Sequence, residues 1–385
     1  MNSYLSQAQQ HFKFCRCDSS SSQWGELGND QWKDLVEFVK KSSIAVDFLN
    51  QMELRNIAST IPGDFHLMLD GSKWAAEESQ NRFTSEINQV GDILAAAGVD
   101  FILLKGAAMI ASGYLDCTGQ RAINDIDILV SPEKLEVAYT ALKEAGFCSS
   151  VEIQLPLNGR WFSKHLPPMY HDCHTYAIEL HQFPFEDELT QRAPISVREM
   201  FDDSRTISHG GKEYRIPSRE HIFVSAFFHS QIEDGHELSG RTNYRAMLDC
   251  VLVVNARGPS LDWDSVESIL SKSGLVPSLY LFLHQLSETF DPSVRHWSSY
   301  RAMSRKKYIK YFLAKRFPAT FKFLNAVRLH IREIIRVIRP SGAIQRKALA
   351  SANPDNYKFQ PIWRQLLNYR MLRERIGYFI KMLRT

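Results

Sequence analysis

The chain has 385 residues, of which 44% are hydrophobic and 23% are charged, a composition typical of a soluble globular protein with an ample core. This composition excludes disordered, collagen-like and coiled-coil chains, and no apolar run reaches the roughly 20 residues that a membrane-spanning helix needs. No secretory signal is visible, and the six cysteines form no CxxC pair. We therefore expect reduced thiols and a cytoplasmic location.

The formal net charge of +3 conceals a strong asymmetry along the chain. Residues 301–385 contain 21 Lys and Arg against three acidic residues, whereas residues 1–300 contain 25 basic and 40 acidic residues. Between Phe321 and Arg339, apolar residues at helical spacing are interleaved with Arg and Lys, which predicts a basic amphipathic helix. Such a helix fits an anionic membrane surface, the phosphates of a nucleic acid or the acidic remainder of the same chain. The pattern leaves all three open.

The order of the predicted elements divides the chain into four parts. We expect N-terminal helices over residues 1–78, a mixed α/β core over 79–217, a helical domain over 218–300 and a basic amphipathic helical region over 301–385. The predicted elements of the core are a helix Ser79–Ala97, a strand Phe101–Leu104, a short helix Ala107–Tyr114, a strand Asp125–Val130, a helix Pro132–Glu144, a strand Tyr176–Leu180 and a last edge strand Tyr214–Pro217. The helical domain is predicted to contain Ile222–Phe228, Tyr244–Ala256, Val266–Leu270 and Ser278–Leu286.

Two carboxylates follow one another on the same face of the second predicted strand. Because side chains on a strand alternate between its faces, Asp125 and Asp127 point one way while Ile126 and Ile128 point into the core. Two carboxylates about 7 Å apart along a strand repel each other unless water or cations neutralise them, and Mg²⁺ is the usual cation where phosphates share the site. A solvated strand edge is the alternative.

A third carboxylate lies on the next core strand. In the segment Ala177–His181, Ile178 and Leu180 take the apolar face and leave Glu179 and His181 on the other. If this strand is a neighbour of the Asp125 strand, three carboxylates converge. An amphipathic edge strand without a chemical role explains the same pattern.

The turn after the first predicted strand carries a lysine and a glycine. Glycine lets a ligand approach the backbone closely, and the first N–H groups of the following helix point toward an anion. Lys105 adds a positive charge beside Gly106 that suits a phosphate. Arg121, four residues before Asp125, reaches a triphosphate on one interpretation and is a surface arginine in a polar turn on the other.

Taken together in this order, these motifs resemble the uncharacterised nucleotidyltransferase family of the DNA polymerase β superfamily. The residues that carry the resemblance are Leu103-Leu104-Lys105-Gly106-Ala107-Ala108, Tyr114, Arg121, Asp125-Ile-Asp127-Ile-Leu-Val, Ala145-Gly146-Phe147 and Ile178-Glu179-Leu180-His181. It continues more loosely through Arg215 to His221, Phe228-His229, Arg245 to Asp249 and Leu261 to Trp263, which look like the helical second half of the family.

The resemblance implies an α+β fold, with a small mixed polymerase β-like sheet, N-terminal helices and a helical C-terminal half. It implies that Asp125 and Asp127 hold two Mg²⁺ (or Mn²⁺) ions and that Glu179 is the third carboxylate. Lys105 and the turn at Gly106 would hold the β- and γ-phosphates of a nucleoside triphosphate, with ATP as the default. Ala107 stands where most of the superfamily has glycine or serine, so the hydroxyl contact of those relatives is missing here.

The implied reaction transfers a nucleoside monophosphate to an acceptor and releases pyrophosphate. The acceptor is a small molecule, a sugar or lipid-linked intermediate, a peptide or protein, or an RNA end, and no motif in the sequence chooses among them. Two alternatives remain open. One is a catalytically silent protein of the same fold that holds a nucleotide or a partner, and the other is a membrane- or RNA-associated adaptor that acts through residues 301–385.

Overall fold

The computed structural model of the protein describes residues 24, 27–150, 153, 163–186, 193–239, 242–290 and 309. The chain forms two compact units, one comprising residues 1–235 and 242–307 and the other residues 236–241 and 308–385. Of the second unit, the structure describes the short helix His236–Ser239 and Ile309. The basic amphipathic helix predicted between Phe321 and Arg339 therefore lies outside the described residues, and the four predicted domain boundaries stay predictions.

Helices precede, accompany and follow the sheet. In chain order they are α1 (Asn29–Lys41), α2 (Ala45–Leu54), α3 (Gly63–Ala96), α4 (Lys105–Ala111), α5 (Leu135–Glu144), α6 (Val197–Asp202), α7 (Arg219–Phe228), α8 (His236–Ser239), α9 (Tyr244–Asn255), α10 (Trp263–Ser271) and α11 (Val276–Thr289). A π-helical turn, His229–Glu233, continues α7. No helix in the described part of the chain combines the length and the hydropathy needed to cross a membrane.

The strands form one mixed sheet in the order β3-β4-β5-β2-β1-β7-β6. They are β1 (Phe101–Leu103), β2 (Asp125–Val130), β3 (Cys148–Ser149), β4 (Met169–Tyr170), β5 (Ala177–His181), β6 (Arg205–His209) and β7 (Lys212–Ile216). Strand β2 runs parallel to β5 and antiparallel to β1, and β1 runs parallel to β7. The expected α+β class, with a mixed sheet between N-terminal helices and a helical C-terminal half, is confirmed.

The long helix α3 differs from the prediction. The predicted helix Ser79–Ala97 is only the second half of α3, which begins at Gly63, directly after Pro62. The first half falls within the N-terminal helices expected over residues 1–78. The pattern did not join it to the second half because it has no single buried face: Leu67 and Trp74 are 71% and 69% exposed. Periodicity finds a helix only where one face of that helix is buried.

The predicted strand Tyr214–Pro217 is present as β7 (Lys212–Ile216), but its predicted place at the edge of the sheet is wrong. Strand β7 lies between β1 and β6, and β6 forms the edge. The hairpin that joins β6 to β7 turns at Gly210 and Gly211, whose φ angles are +57° and +81°. Two central residues with positive φ give a turn whose twist matches that of the flanking strands. The Gly-Gly pair between two short segments was the sequence signal for β6.

The hairpin turn is docked on α3. The side-chain amide of Asn88 donates a hydrogen bond to the carbonyl oxygen of Gly210 at 3.0 Å. A Cβ added at Gly210 would stand 2.5 Å from Cγ2 of Thr84, whereas a Cβ at Gly211 would meet no atom within 4 Å. Both positions therefore favour glycine because of their positive φ angles. Gly210 also leaves no room for a side chain beside Thr84.

We expect Gly210→Ala to destabilise the protein more than Gly211→Ala. Both changes place an L-residue in the left-handed region, at about 1–2 kcal/mol each. Only Gly210→Ala also forces a methyl group into Thr84, which adds about 1–3 kcal/mol. Denaturant unfolding of the two variants measures the difference, and equal losses of unfolding free energy would contradict the docking of the turn on α3.

Candidate active site

The parallel pairing of β2 with β5 brings the predicted carboxylates together. Asp127 pairs with Glu179 across the two strands, and neighbouring strands lie about 4.8 Å apart. Asp125, two residues before Asp127, shares its face. The predicted adjacency of the two strands is confirmed, and three carboxylates lie on one face of the sheet.

Asp127 is the most enclosed of the three carboxylates, at 1% exposed. Its Oδ1 atom accepts hydrogen bonds from Nζ of Lys105 at 2.5 Å and from Nε2 of His181 at 2.8 Å. A backbone hydrogen bond positions Lys105 next to Asp127: the N–H of Leu104 donates to the carbonyl oxygen of Asp127 at 3.0 Å. The end of β1 is thus tied to β2 one residue before Lys105.

Glu179 lies among the same cations and imidazoles. Its Oε2 atom is 3.8 Å from Nζ of Lys105, 3.5 Å from Nε2 of His181 and 3.9 Å from Nε2 of His165. The ring of His165 packs on that of His181 with a centroid distance of 4.9 Å. A continuous chain of polar contacts therefore runs from Lys105 through both carboxylates to His165.

The three carboxylates differ in their electrostatics. Burial disfavours the charge of Asp127, but the hydrogen bond from His181 and the charge of Lys105 outweigh it and hold the pKa of Asp127 below its usual range. For Glu179 too, the contacts with His181 and His165 outweigh burial and lower the pKa. Burial, followed by the negative charges of Asp127 and Glu179, raises the pKa of Asp125. Of the three carboxylates, Asp125 is therefore the one whose negative charge is least compensated by nearby groups.

Lys105 and Gly106 begin α4 rather than preceding it. Lys105 has a φ of +46°, a strained value for a residue other than glycine. Its ammonium group points to the carboxylates, and their charges outweigh burial and raise its pKa. A Cβ added at Gly106 would lie 3.5 Å from Nη1 and Nη2 of Arg121, so the guanidinium group of Arg121 lies beside Gly106. Ala107 is completely buried in the core, at 0% exposed.

Arg121 is not a surface residue, since it is 5% exposed. Its Nε donates to Oδ1 of Asp249 on α9 at 2.6 Å, and its Nη1 donates to the carbonyl oxygen of Ala122. One helical turn before Asp249, Arg245 interacts electrostatically with Asp125 and Asp127. Burial, followed by the charge of Arg121, lowers the pKa of Arg245. The helical half thus brings a second arginine within electrostatic range of the carboxylates.

One group of side chains in the described part of the chain has the geometry of a metal site. The donor atoms of Asp127, Glu179 and His181 all lie within 4.8 Å of one another. Asp125, predicted as a ligand together with Asp127 and Glu179, does not belong to this group. The metal-binding roles of the three carboxylates and the nucleotide-binding roles of Lys105, Gly106, Ala107 and Arg121 stay predictions.

Three residues of this face were absent from the predicted site. Strand alternation placed His181 beside Glu179, but gave it no role. His165 lies in an irregular segment without a pattern, and reaches the site through a single antiparallel bridge to His181. Arg245 lies four residues, or one helical turn, before Asp249. This spacing places Arg245 near the site only because Asp249 binds Arg121, a contact that the sequence does not show.

A mixed sheet with an acid pair on one strand and a third acid on its parallel neighbour agrees with the resemblance of the sequence to nucleotidyltransferases. The sequence profile of a family described as "Uncharacterised nucleotidyltransferase" matches residues 28–291. The match spans more than half of the chain, and the protein therefore belongs to this family, which is a class of transferases. No curated protein sequence matches the chain.

Two solved structures are similar to part of the protein. The solution structure of the antibiotic-resistance factor ANT(2'')-Ia covers 52% of this chain and 95% of its own, with 12% identity and a TM-score of 0.33. A crystal structure of an antigenic nucleotidyltransferase-like protein from Paracoccidioides brasiliensis covers 55% and 94%, with 13% identity and a TM-score of 0.36. At these values neither likeness extends to residue roles.

We expect the two aspartates to respond oppositely to neutralisation. The charged form of Asp127 stabilises the fold above its usual pKa, because the pKa is lowered in the folded state. Asp127→Asn removes this stabilisation at pH 7 and leaves Lys105 without its closest partner, a loss of about 3 kcal/mol. The pKa of Asp125 is raised, so its charge opposes folding once the pH exceeds its usual pKa. Asp125→Asn is thus expected to raise the melting temperature by about 2 °C or more.

Thermal unfolding of both variants at pH 7 measures these effects. Repeating the scan at pH 4 is the control, since the gain from Asp125→Asn shrinks as the carboxyl of the native protein takes up its proton. Equal destabilisation by the two substitutions at pH 7 would contradict the electrostatic difference between the aspartates.

Proposed function

We propose that the protein is a metal-dependent nucleotidyltransferase that transfers a nucleoside monophosphate from a nucleoside triphosphate, ATP by default, to an acceptor. The observation that carries this proposal is the register of β2 against β5, which places Asp127 beside Glu179 with Asp125 on the same face. Membership of the nucleotidyltransferase family supports it. In the proposed reaction an acceptor oxygen attacks the α-phosphorus, the bond to the bridging oxygen breaks, and pyrophosphate leaves with the bonding electron pair.

The residues of this face fit a divalent cation. Carboxylate oxygens are the donors that Mg²⁺ and Mn²⁺ prefer, and three carboxylates share this face. An ammonium group already lies between two of them, since Nζ of Lys105 is 2.5 Å from Asp127 and 3.8 Å from Glu179. Asp125, Asp127 and Glu179 would hold the cation, which when bound stabilises charge on the attacking and leaving oxygens.

The cations around the carboxylates support a triphosphate site. The guanidinium group of Arg121 lies beside Gly106, so both predicted nucleotide-binding residues can act on one phosphate chain. The hydrogen bond from Nε of Arg121 to Asp249 holds the guanidinium group in place beside Gly106. Arg245 adds a positive charge that interacts with Asp125 and Asp127, and we include it among the residues that bind phosphate. Positioning and charge neutralisation are the main contributions that proteins make to such transfers.

We expect the wild-type protein to bind one or more nucleoside triphosphates only when Mg²⁺ or Mn²⁺ is present. Calorimetric titration with the α,β-methylene analogues of ATP, GTP, CTP and UTP measures binding without turnover. Asp125→Asn is the matched variant, because we expect it to stay folded while losing at least 10-fold in affinity for the metal–nucleotide complex. If none of the four analogues binds with either metal, the proposed function is wrong.

Release of pyrophosphate separates the enzyme from the silent alternative. We incubate wild-type protein with the natural nucleoside triphosphate whose analogue binds. Fractions of small molecules, peptides or RNA are added in turn as the acceptor. Pyrophosphate that appears only with one fraction identifies the acceptor class. Binding without release in every fraction would favour a protein that holds a nucleotide and does not turn it over.

We expect Gly106→Ala to leave the fold intact while weakening nucleotide binding. An alanine Cβ would lie in ordinary van der Waals contact with Arg121, at 3.5 Å, and alanine is the better helix former. The same methyl group would occupy the space where Gly106 and Arg121 meet, so we expect at least a 10-fold loss of affinity. Gly71→Ala in α3 is the matched control, since its Cβ meets no atom within 4 Å. If Gly106→Ala leaves the nucleotide affinity unchanged, the turn at Gly106 does not bind the nucleotide.

A further inference from the structure

His181 ends β5 and is completely buried, at 0% exposed. Its two ring nitrogens have different surroundings. Nε2 lies 2.8 Å from Oδ1 of Asp127 and 3.5 Å from Oε2 of Glu179. Nδ1 is equally buried and has no hydrogen-bond partner among the described residues. The ring therefore presents one engaged and one unengaged nitrogen.

The unengaged nitrogen fixes the position of the proton. A neutral imidazole carries one N–H donor and one acceptor nitrogen. A carboxylate accepts hydrogen bonds, so Nε2 carries the proton that Asp127 receives, and Nδ1 is the acceptor. The opposite tautomer would bury an unpaired N–H at Nδ1 and would turn the lone pair of Nε2 toward the carboxylate oxygen, both of which are unfavourable.

The same reasoning separates two roles that the geometry alone leaves open. The donor atoms of Asp127, Glu179 and His181 are close enough to share a metal ion. A metal-bound histidine, however, binds through an unprotonated nitrogen and donates its other N–H to a partner. For His181 that other nitrogen is Nδ1, and no described residue accepts a hydrogen bond from it.

We propose that His181 is a positioning residue for the metal site and not one of its ligands. Its Nε2–H and the ammonium group of Lys105 both bind Oδ1 of Asp127, which leaves Oδ2 as the oxygen open to a cation. The hydrogen bond holds the carboxylate in one orientation on the rigid strand pair β2–β5. This inference rests on the proposed function, because it assumes that Asp127 holds the metal.

Two amide variants test where the donor must lie. The side-chain amide of His181→Gln places an N–H near the position of Nε2, whereas the shorter His181→Asn places it near Nδ1. We expect the affinity for Mn²⁺, measured from the electron paramagnetic resonance signal of the free ion, to fall less than threefold in His181→Gln. It falls about 10- to 100-fold in His181→Asn and in His181→Leu. Equal affinities of the Gln and Asn variants would overturn the proposal.

A spectroscopic measurement on the wild-type protein needs no substitution and covers variants that fail to fold. Electron spin-echo modulation of bound Mn²⁺ is compared between protein with ¹⁴N-histidine and protein with ¹⁵N-histidine. We expect no coupling to a directly bound histidine nitrogen, and such a coupling would show that a histidine is a ligand and would overturn the proposal. Long-range ¹H–¹⁵N NMR of the Mg²⁺ form is expected to show the proton of His181 on Nε2, and a proton on Nδ1 would overturn it as well.

Mn²⁺ binding distinguishes an error in the role of His181 from an error in the proposed function. The titrations are made with Mn²⁺ alone and with the α,β-methylene nucleotide, and they require no turnover. If wild-type protein binds Mn²⁺ in neither condition, the metal-dependent function fails and this inference fails with it. If Mn²⁺ binds with the coupling of a coordinated histidine, the function stands and only the positioning role is wrong.

Discussion

Repulsion between like charges on neighbouring strands is the constraint on which the rest of the site depends. The register of β2 against β5 sets Asp127 directly beside Glu179, and like charges in such positions destabilise a sheet. The carboxylates cannot separate, because Ile126, Ile128 and Ile178 on the same strands are completely buried. The sheet therefore requires positive charge and N–H donors on this face. Lys105 and His181 provide them in the protein alone, and a divalent cation would complete them.

The backbone at the end of β1 shows what this requirement costs. Lys105 adopts a φ of +46°, which costs a residue with a Cβ about 1–2 kcal/mol. The hydrogen bond from Leu104 to the carbonyl of Asp127 holds the chain there, and the ammonium group then lies 2.5 Å from the carboxylate. Strain that the surrounding structure holds in place is found mainly at functional sites. It is the charge on Asp127 that makes the strained conformation of Lys105 favourable.

The sequence predicted best what depends on neighbours along the chain. The bounds of β2 agree with the predicted strand Asp125–Val130, because the alternation of acids with buried isoleucines is unambiguous. The continuity of α3 through residues 63–78 was missed because that half of the helix buries no single face. The site shows the same limit: strand alternation grouped Asp125 with Asp127, and Glu179 with His181. It could not show that Arg121 meets Asp249, because that contact joins residues 128 positions apart.

That long-range contact decides how the two halves of the family's fold act together. Arg121 precedes the acid pair in the core, and Asp249 and Arg245 belong to one helix of the helical half. Because Asp249 neutralises Arg121 and both are buried, breaking this pair leaves a buried charge unpaired. The pair also holds the guanidinium group beside Gly106, so the surroundings of this turn depend on a helix outside the sheet. Arg245 lies one turn from Asp249 on that same helix, and its charge acts on Asp125. The candidate site is therefore surrounded by groups from both halves of the fold, Lys105 and Arg121 from the core and Asp249 and Arg245 from the helical half.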